Sequence, residues 1–133
     1  MAEAFPMKAS ADAKVTGLIP MASVAKGERS VDFYRFLGME LHGSLKTSGG
    51  DLQWAHVACE HAELMFARAK EPVVPSQQSV LFYLYSPNLV VLRERLILAG
   101  VRVSPITYPD YMPKGEVQVE DPDGYTLLIG QAG

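Results

Sequence analysis

Cysteine is almost absent from this chain. Cys59 stands alone among 133 residues, which excludes an intrachain disulfide and any cysteine-rich metal knot. A surplus of positive charge is missing too. Twelve Lys and Arg against 15 Asp and Glu leave a formal net charge of -3, so no basic field draws in a phosphate backbone and nucleic acid is not an expected partner. No apolar run approaches the ~20 residues of a membrane helix, and residues 1–14 lack the basic-then-apolar order of a signal peptide. No membrane partner is expected, and the cytoplasm is the expected compartment. Histidine is scarce, with three residues, which already limits imidazole chemistry to His42, His56 and His61.

The remaining composition, 48% hydrophobic and 20% charged, suits one globular domain of this length. Its organising stretch is residues 116–129. Two alternating runs flank Asp121-Pro122-Asp123-Gly124, where proline sets φ at one corner and glycine takes positive φ at another, so a β-hairpin is predicted. Val117 and Val119 fall on one face; Glu116, Gln118 and Glu120 fall on the other. An earlier near-copy joins residues 52–57 to 62–68. Each hairpin follows an apolar strand and a helix-like segment, so the chain reads as a βαβββ unit written twice, about 15–70 and about 79–130. Residues 1–14 read as a flexible tail, or as an arm exchanged in a dimer.

In the first unit, strands are predicted over Val15–Val24, despite Pro20, and Met39–Leu45. Between them a helix over Gly27–Leu37 buries Val31, Tyr34 and Leu37, has a poor N-cap and stops at Gly38. Residues 70–78 form the connector. In the second unit a strand over Val80–Tyr85 leads to Ser86-Pro87 as N-cap and first helical residue. Leu89, Leu92 and Leu96 form the buried stripe, and Gly100 the stop. A strand over Val101–Ile106 and an aromatic loop over 107–115 complete it. Overlaying Gly38 on Gly100 sets Ile19 against Leu81, Met21 against Tyr83 and Ser23 against Tyr85.

Residues 29–41 (Arg-Ser-Val-Asp-Phe-Tyr-Arg-Phe-Leu-Gly-Met-Glu-Leu), together with Glu120-Asp-Pro-Asp-Gly-Tyr125, resemble the glyoxalase, bleomycin-resistance and extradiol-dioxygenase superfamily, the vicinal oxygen chelate proteins. The resemblance covers roughly residues 15–130. It implies an α+β fold in which two βαβββ modules curve an eight-stranded mixed sheet around a cavity, commonly in a homodimer. Metalloenzymes of the superfamily place His on the first strand of each module and Glu on the last. Those positions fall here at about Ile19, Leu81 and Leu128, and the remaining one at Met65 or, with a shifted turn, Glu63 or Ala67. Hydrocarbon supplies no lone pair for a divalent ion, so no metal and no cofactor are expected.

The shared inward face would carry Ile19, Met21, Ser23, Trp54, His56, Met65, Tyr83, Tyr85, Gln118 and Leu128, with Tyr108, Tyr111 and Met112 closing over it or packing on a dimer partner. Such an aromatic cleft with a few polar groups suits a small-molecule ligand, and Trp54, Tyr83 and Tyr85 would stack on it. Trp54, Met21, Met65 and Leu128 would serve equally as plain core filling a collapsed cavity. His56 is the one candidate for acid–base catalysis, against a hydrogen-bonding or surface role, since no carboxylate is placed beside it in sequence. Glu116 and Glu120 read as solvated strand charges, Asp121 and Asp123 as turn residues. Three readings follow. The first is metal-independent binding of a small or antibiotic-like molecule, of the bleomycin-resistance type. The second is a glyoxalase-like or dioxygenase-like enzyme, or a metal-free lyase or isomerase using His56 or a glutamate; the third is an accessory dimer whose cavity is filled by its own side chains.

Overall fold

The computed structural model describes residues 13–133, so the expected arm over residues 1–14 lies outside the described residues except for its last two. The first module runs β1 (Met21–Val24), α1 (Gly27–Arg35), β2 (Glu40–Lys46), β3 (Leu52–Cys59) and β4 (Ala62–Arg68). A 3-10 turn at Pro75–Gln77 lies in the connector. The second module then runs β5 (Leu81–Ser86), α2 (Leu89–Leu98), β6 (Glu116–Glu120) and β7 (Thr126–Gln131). The strands form two sheets, ordered β1-β4-β3-β2 and β5-β7-β6. In each, the first strand runs parallel to the last and the hairpin is antiparallel. The two halves therefore share the parallel first-and-last strand plan, but the second has three strands where βαβββ requires four, and the described strands form two separate sheets rather than one eight-stranded sheet.

The differences from expectation have local causes. β1 begins only after Pro20, whose carbonyl accepts a hydrogen bond from Met65 N at 2.9 Å, because proline has no N–H to extend the ladder. The strand expected over Val101–Ile106 is reduced to two isolated bridges, Val103 with Val119 and Thr107 with Glu116. Pro105 interrupts it, and Gln118 N finds the Ser104 hydroxyl at 2.7 Å instead of a backbone carbonyl. α1 ends at Arg35, two residues short, with Gly38 at φ 89° closing the turn. Its N-cap Lys26 makes no side-chain cap, as its sequence implies. In α2 the cap is Asn88 rather than Ser86: its carboxamide oxygen accepts from Val91 N at 3.3 Å.

One buried cluster holds the modules together. It draws Val31, Phe33 and Tyr34 from α1 and Leu89 and Leu92 from α2. Ala55, Val57, Leu64 and Phe66 come from the first sheet, Val117, Val119, Leu127 and Ile129 from the second. Strand alternation then fixes the rest: Trp54, His56 and Met65 lie on the side of the first sheet away from this core, and Gln118 and Leu128 on the side of the second away from it.

The β6–β7 turn ties the modules through carboxylates. Asp121 accepts from Asp123 N and Tyr125 N at 2.9 and 3.0 Å, and from the Tyr34 hydroxyl of the other module at 2.7 Å. Burial nevertheless raises its pKa, outweighing those hydrogen bonds, and the same burial drives the Tyr34 phenol far up. A carboxyl raised on folding is held most favourably when protonated. Its contribution is full below its unfolded value near ~3.9 and is lost as pH rises through the folded value. Asn keeps the oxygen that serves the two amides and never ionises. Asp121→Asn is thus expected to gain stability relative to wild type as pH rises from ~3.5 toward neutrality. Urea titrations across that range test it, and a constant or falling difference would refute it.

Candidate functional site

Two rows of side chains cross the open face of the first sheet. The register aligns Met21 with Met65 and His56, and Ser23 with Ala67 and Trp54. On the next strand Gly43 leaves room for the indole: a Cβ there would sit 3.3 Å from two Trp54 ring carbons. His56 was expected without a carboxylate neighbour, yet its Nε2 lies 2.9 Å from Glu63 Oε1, a diagonal neighbour across the β3–β4 hairpin. Trp54 and His42 flank that imidazole with ring centroids 6.3 and 5.9 Å away. His42 lies within β2, at a register shift between Leu41 and Gly43, rather than at its end. His61 is in the turn, as expected.

The second sheet repeats the rows with other chemistry. Tyr83 aligns with Leu128 and Gln118, and Tyr85 with Gly130 and Glu116. Glu116 is therefore the counterpart of Trp54, and Gln118 of His56. Reading Glu116 as a solvated strand charge is overturned: the residue is 7% exposed. Its Oε1 accepts from the Tyr83 hydroxyl at 2.5 Å and its Oε2 from the Tyr111 hydroxyl at 2.9 Å. Those bonds, before any burial, raise both phenol pKa values. Alternation already put Glu116 beside Gln118 on the open face; what strand periodicity lacks is the loop that covers it. In that loop Tyr108 and Tyr111 are each 66% exposed. Met112 packs on Gly130, where an added Cβ would meet its methyl at 2.7 Å.

The expected site residues are not gathered in one hollow. Ser23 lines a groove of about 560 Å³ beside the connector, and Trp54 a shallow one of about 570 Å³ with Leu45 and Ala67. Tyr83 and Tyr85 line a third, of about 1010 Å³, against the β3–β4 turn and α2. No hydrogen bond or ring contact among the described residues links the Trp54 group to the Tyr83 group. The shared core explains the separation, since each open face lies on the far side of its sheet from that core.

The residues at the superfamily's ligand positions do not fit a divalent ion. Ile19 precedes β1, Leu81 and Leu128 offer only hydrocarbon, and the Glu63 carboxylate is engaged by His56. No group of three or more His, Cys, Asp or Glu among the described residues is placed to hold a metal. Cys59 lies beside the third hollow, and burial pushes its thiol pKa up, which disfavours the thiolate. No helix among the described residues is long and apolar enough to cross a membrane.

No curated protein matches the chain. Among solved structures it resembles a bleomycin-binding protein complexed with bleomycin, with a TM-score of 0.70 at 15% identity, covering 90% of this chain and 100% of that one. A bleomycin resistance determinant encoded on the transposon Tn5 gives 0.70 at 15% identity, over 88% and 98%. TnmS3, an antibiotic binding protein from Streptomyces sp. CB03234, gives 0.67 at 20%, over 90% and 98%. At these identities the likeness is one of fold. Residues 20–129 match the family described as the Glyoxalase/Bleomycin resistance protein/Dioxygenase superfamily, and the chain belongs to that superfamily.

Proposed function

We propose that this protein captures a small, antibiotic-like molecule without a metal or other cofactor, in an aromatic cleft that two copies of the chain complete. Residues 15–130 act as one domain of two modules, about 15–70 and 79–130, working in the cytoplasm. Supporting this is one observation: the matching rows of Trp54 and Tyr85 lie on open faces turned away from a common core. A homodimer that sets the first sheet of one copy against the second sheet of the other would bring those faces together. It would also place edge strand β1 beside edge strand β5, joining the four-stranded and three-stranded sheets into one curved sheet, with the bridged segment 103–107 continuing it past β6. In that cleft Met21, Ser23, Trp54, His56, Met65, Tyr83, Tyr85, Gln118 and Leu128 contact the ligand, with Tyr108, Tyr111 and Met112 at its rim.

The antibiotic-binding relatives supply the first probes. In a thermal-shift panel that begins with bleomycin, a ligand held by the native state alone raises stability by about 2.7 kcal/mol at a hundred times its Kd. Trp54→Ala should weaken the bound compound about tenfold, the value of one good stacking contact. A stoichiometric ion in protein purified without chelator, or binding untouched by Trp54→Ala, would overturn the reading. The second reading, a metal-free lyase or isomerase, draws on His56 and Glu63 at 2.9 Å. Turnover abolished in His56→Asn would favour it.

A further inference from the structure

We propose that the part of this cleft built by Tyr83, Tyr85 and Tyr111 around Glu116 recognises an organic cation, a quaternary ammonium or protonated alkylamine. The inference rests on the binding reading above and adds the chemical class of the ligand.

Four features carry it. Glu116 is almost wholly buried, and both carboxylate oxygens accept phenol hydrogen bonds. Among the described residues no Lys, Arg or His nitrogen pairs with it within 4.0 Å; the ion pairs lie elsewhere, at Asp123, Asp32, Glu40, Glu63 and Asp51. Lys114, two residues away, is spent on the carbonyl of Gly133. Two neutral hydroxyls satisfy its oxygens but supply no counter-charge. A cation brought to the site completes it.

The rings are arranged to receive such a group. Tyr83 and Tyr85 lie with centroids 5.3 Å apart and planes tilted by 40°, an open wedge rather than a closed stack. Tyr83 is 38% exposed and Tyr85 65%. Because the Tyr83 and Tyr111 hydroxyls point their hydrogens at Glu116, their electron density is pushed back into the rings. The negative face that attracts a cation is thereby strengthened. Glu116 acts through the tyrosines as a positioning and polarising residue. A neutral planar ligand would stack on the same rings but would draw nothing from the carboxylate, so charge separates the two.

The probes are choline and its uncharged carbon isostere 3,3-dimethylbutan-1-ol, titrated into the full chain and followed by tyrosine fluorescence and by NMR shifts of the probe methyl groups. Choline should saturate at millimolar concentration and the isostere bind at least about tenfold more weakly. Glu116→Gln, which keeps an acceptor and a similar shape, should erase most of that preference while leaving the isostere unchanged. Tyr85→Leu, at an exposed side chain that makes no bond to Glu116, should weaken choline by a similar factor and serves if Glu116→Gln fails to fold. Equal binding of both probes, no binding of either, or a preference that survives both substitutions would overturn the cation assignment. A panel ligand lost in Trp54→Ala would still stand in that event; loss of both results would remove the binding reading as well.

Discussion

Asp123→Ala is expected to cost about 3–5 kcal/mol, the range for removing one partner from a buried, charge-assisted set. Small domains have only about 5–15 kcal/mol in total, so this variant should unfold at a much lower urea midpoint or fail to accumulate. The side chain is fully buried. Its Oδ1 accepts from Ala25 N at 2.7 Å and its Oδ2 from the Ser30 hydroxyl at 3.3 Å. Alanine removes the acceptor of the Ala25 amide and leaves the buried Ser30 hydroxyl only the Lys26 carbonyl, at 3.5 Å. The Arg29 guanidinium at 3.4 Å contributes little of the total, since Arg29 is 49% exposed and solvent screens it. Asp123→Asn keeps one acceptor oxygen and should lose only about 1–2 kcal/mol. Equal losses in the two variants would mean that charge, not hydrogen bonding, dominates. A loss below about 1 kcal/mol in alanine would refute the account.

That turn also marks how far sequence reading reaches. Asp-Pro-Asp-Gly between alternating runs specifies a hairpin by local chemistry, and Gly124 sits at φ 90° as the turn requires. Gly38 and Gly100 end their helices in the same left-handed region, at 89° and 82°. Asp121 behaves as a turn residue should, bonding amides two and four positions on. Asp123 does not, because its acceptors are used 98 and 93 residues away in the first module. No local pattern encodes such a partner. Gly124 has a second, nonlocal reason to be glycine: a Cβ would lie 2.5 Å from backbone atoms of Pro75 in the connector.

The faces that carry the candidate site were legible in the same partial way. Period-two alternation correctly separated Trp54, His56 and Met65 from Ala55, Val57 and Phe66, and Gln118 from Val117 and Val119. The internal repeat paired Met21 with Tyr83 and Ser23 with Tyr85, and the strand registers agree. Two things escaped. The burial of Glu116 depends on Tyr111 reaching back over the sheet from a loop held by Pro109 and Pro113, which has no period to read. The direction in which the two open faces point is set by helices packing between sheets. Alternation defines the sides of a strand, not the pose of one module against the other.

If two copies share each cleft, damage on opposite faces must complement. Homodimers of Trp54→Ala or of Tyr85→Ala would each have both clefts impaired and should lose about tenfold or more in affinity for the ligand identified by thermal shift. In a mixed dimer one cleft would carry both substitutions and the other neither. Random exchange of equal amounts, by refolding together or co-expression with two tags, should therefore restore wild-type affinity in about one quarter of all clefts. Both residues are suited to the test, since neither reaches the core: Tyr85 is 65% exposed and Trp54 lies over Gly43 on the open face. A cleft contained in one chain gives a different result, because every chain in the mixture then carries a damaged site and mixing restores nothing. Calorimetry reads the fraction of high-affinity sites directly, and its value decides whether the sheet of one copy completes the sheet of the other.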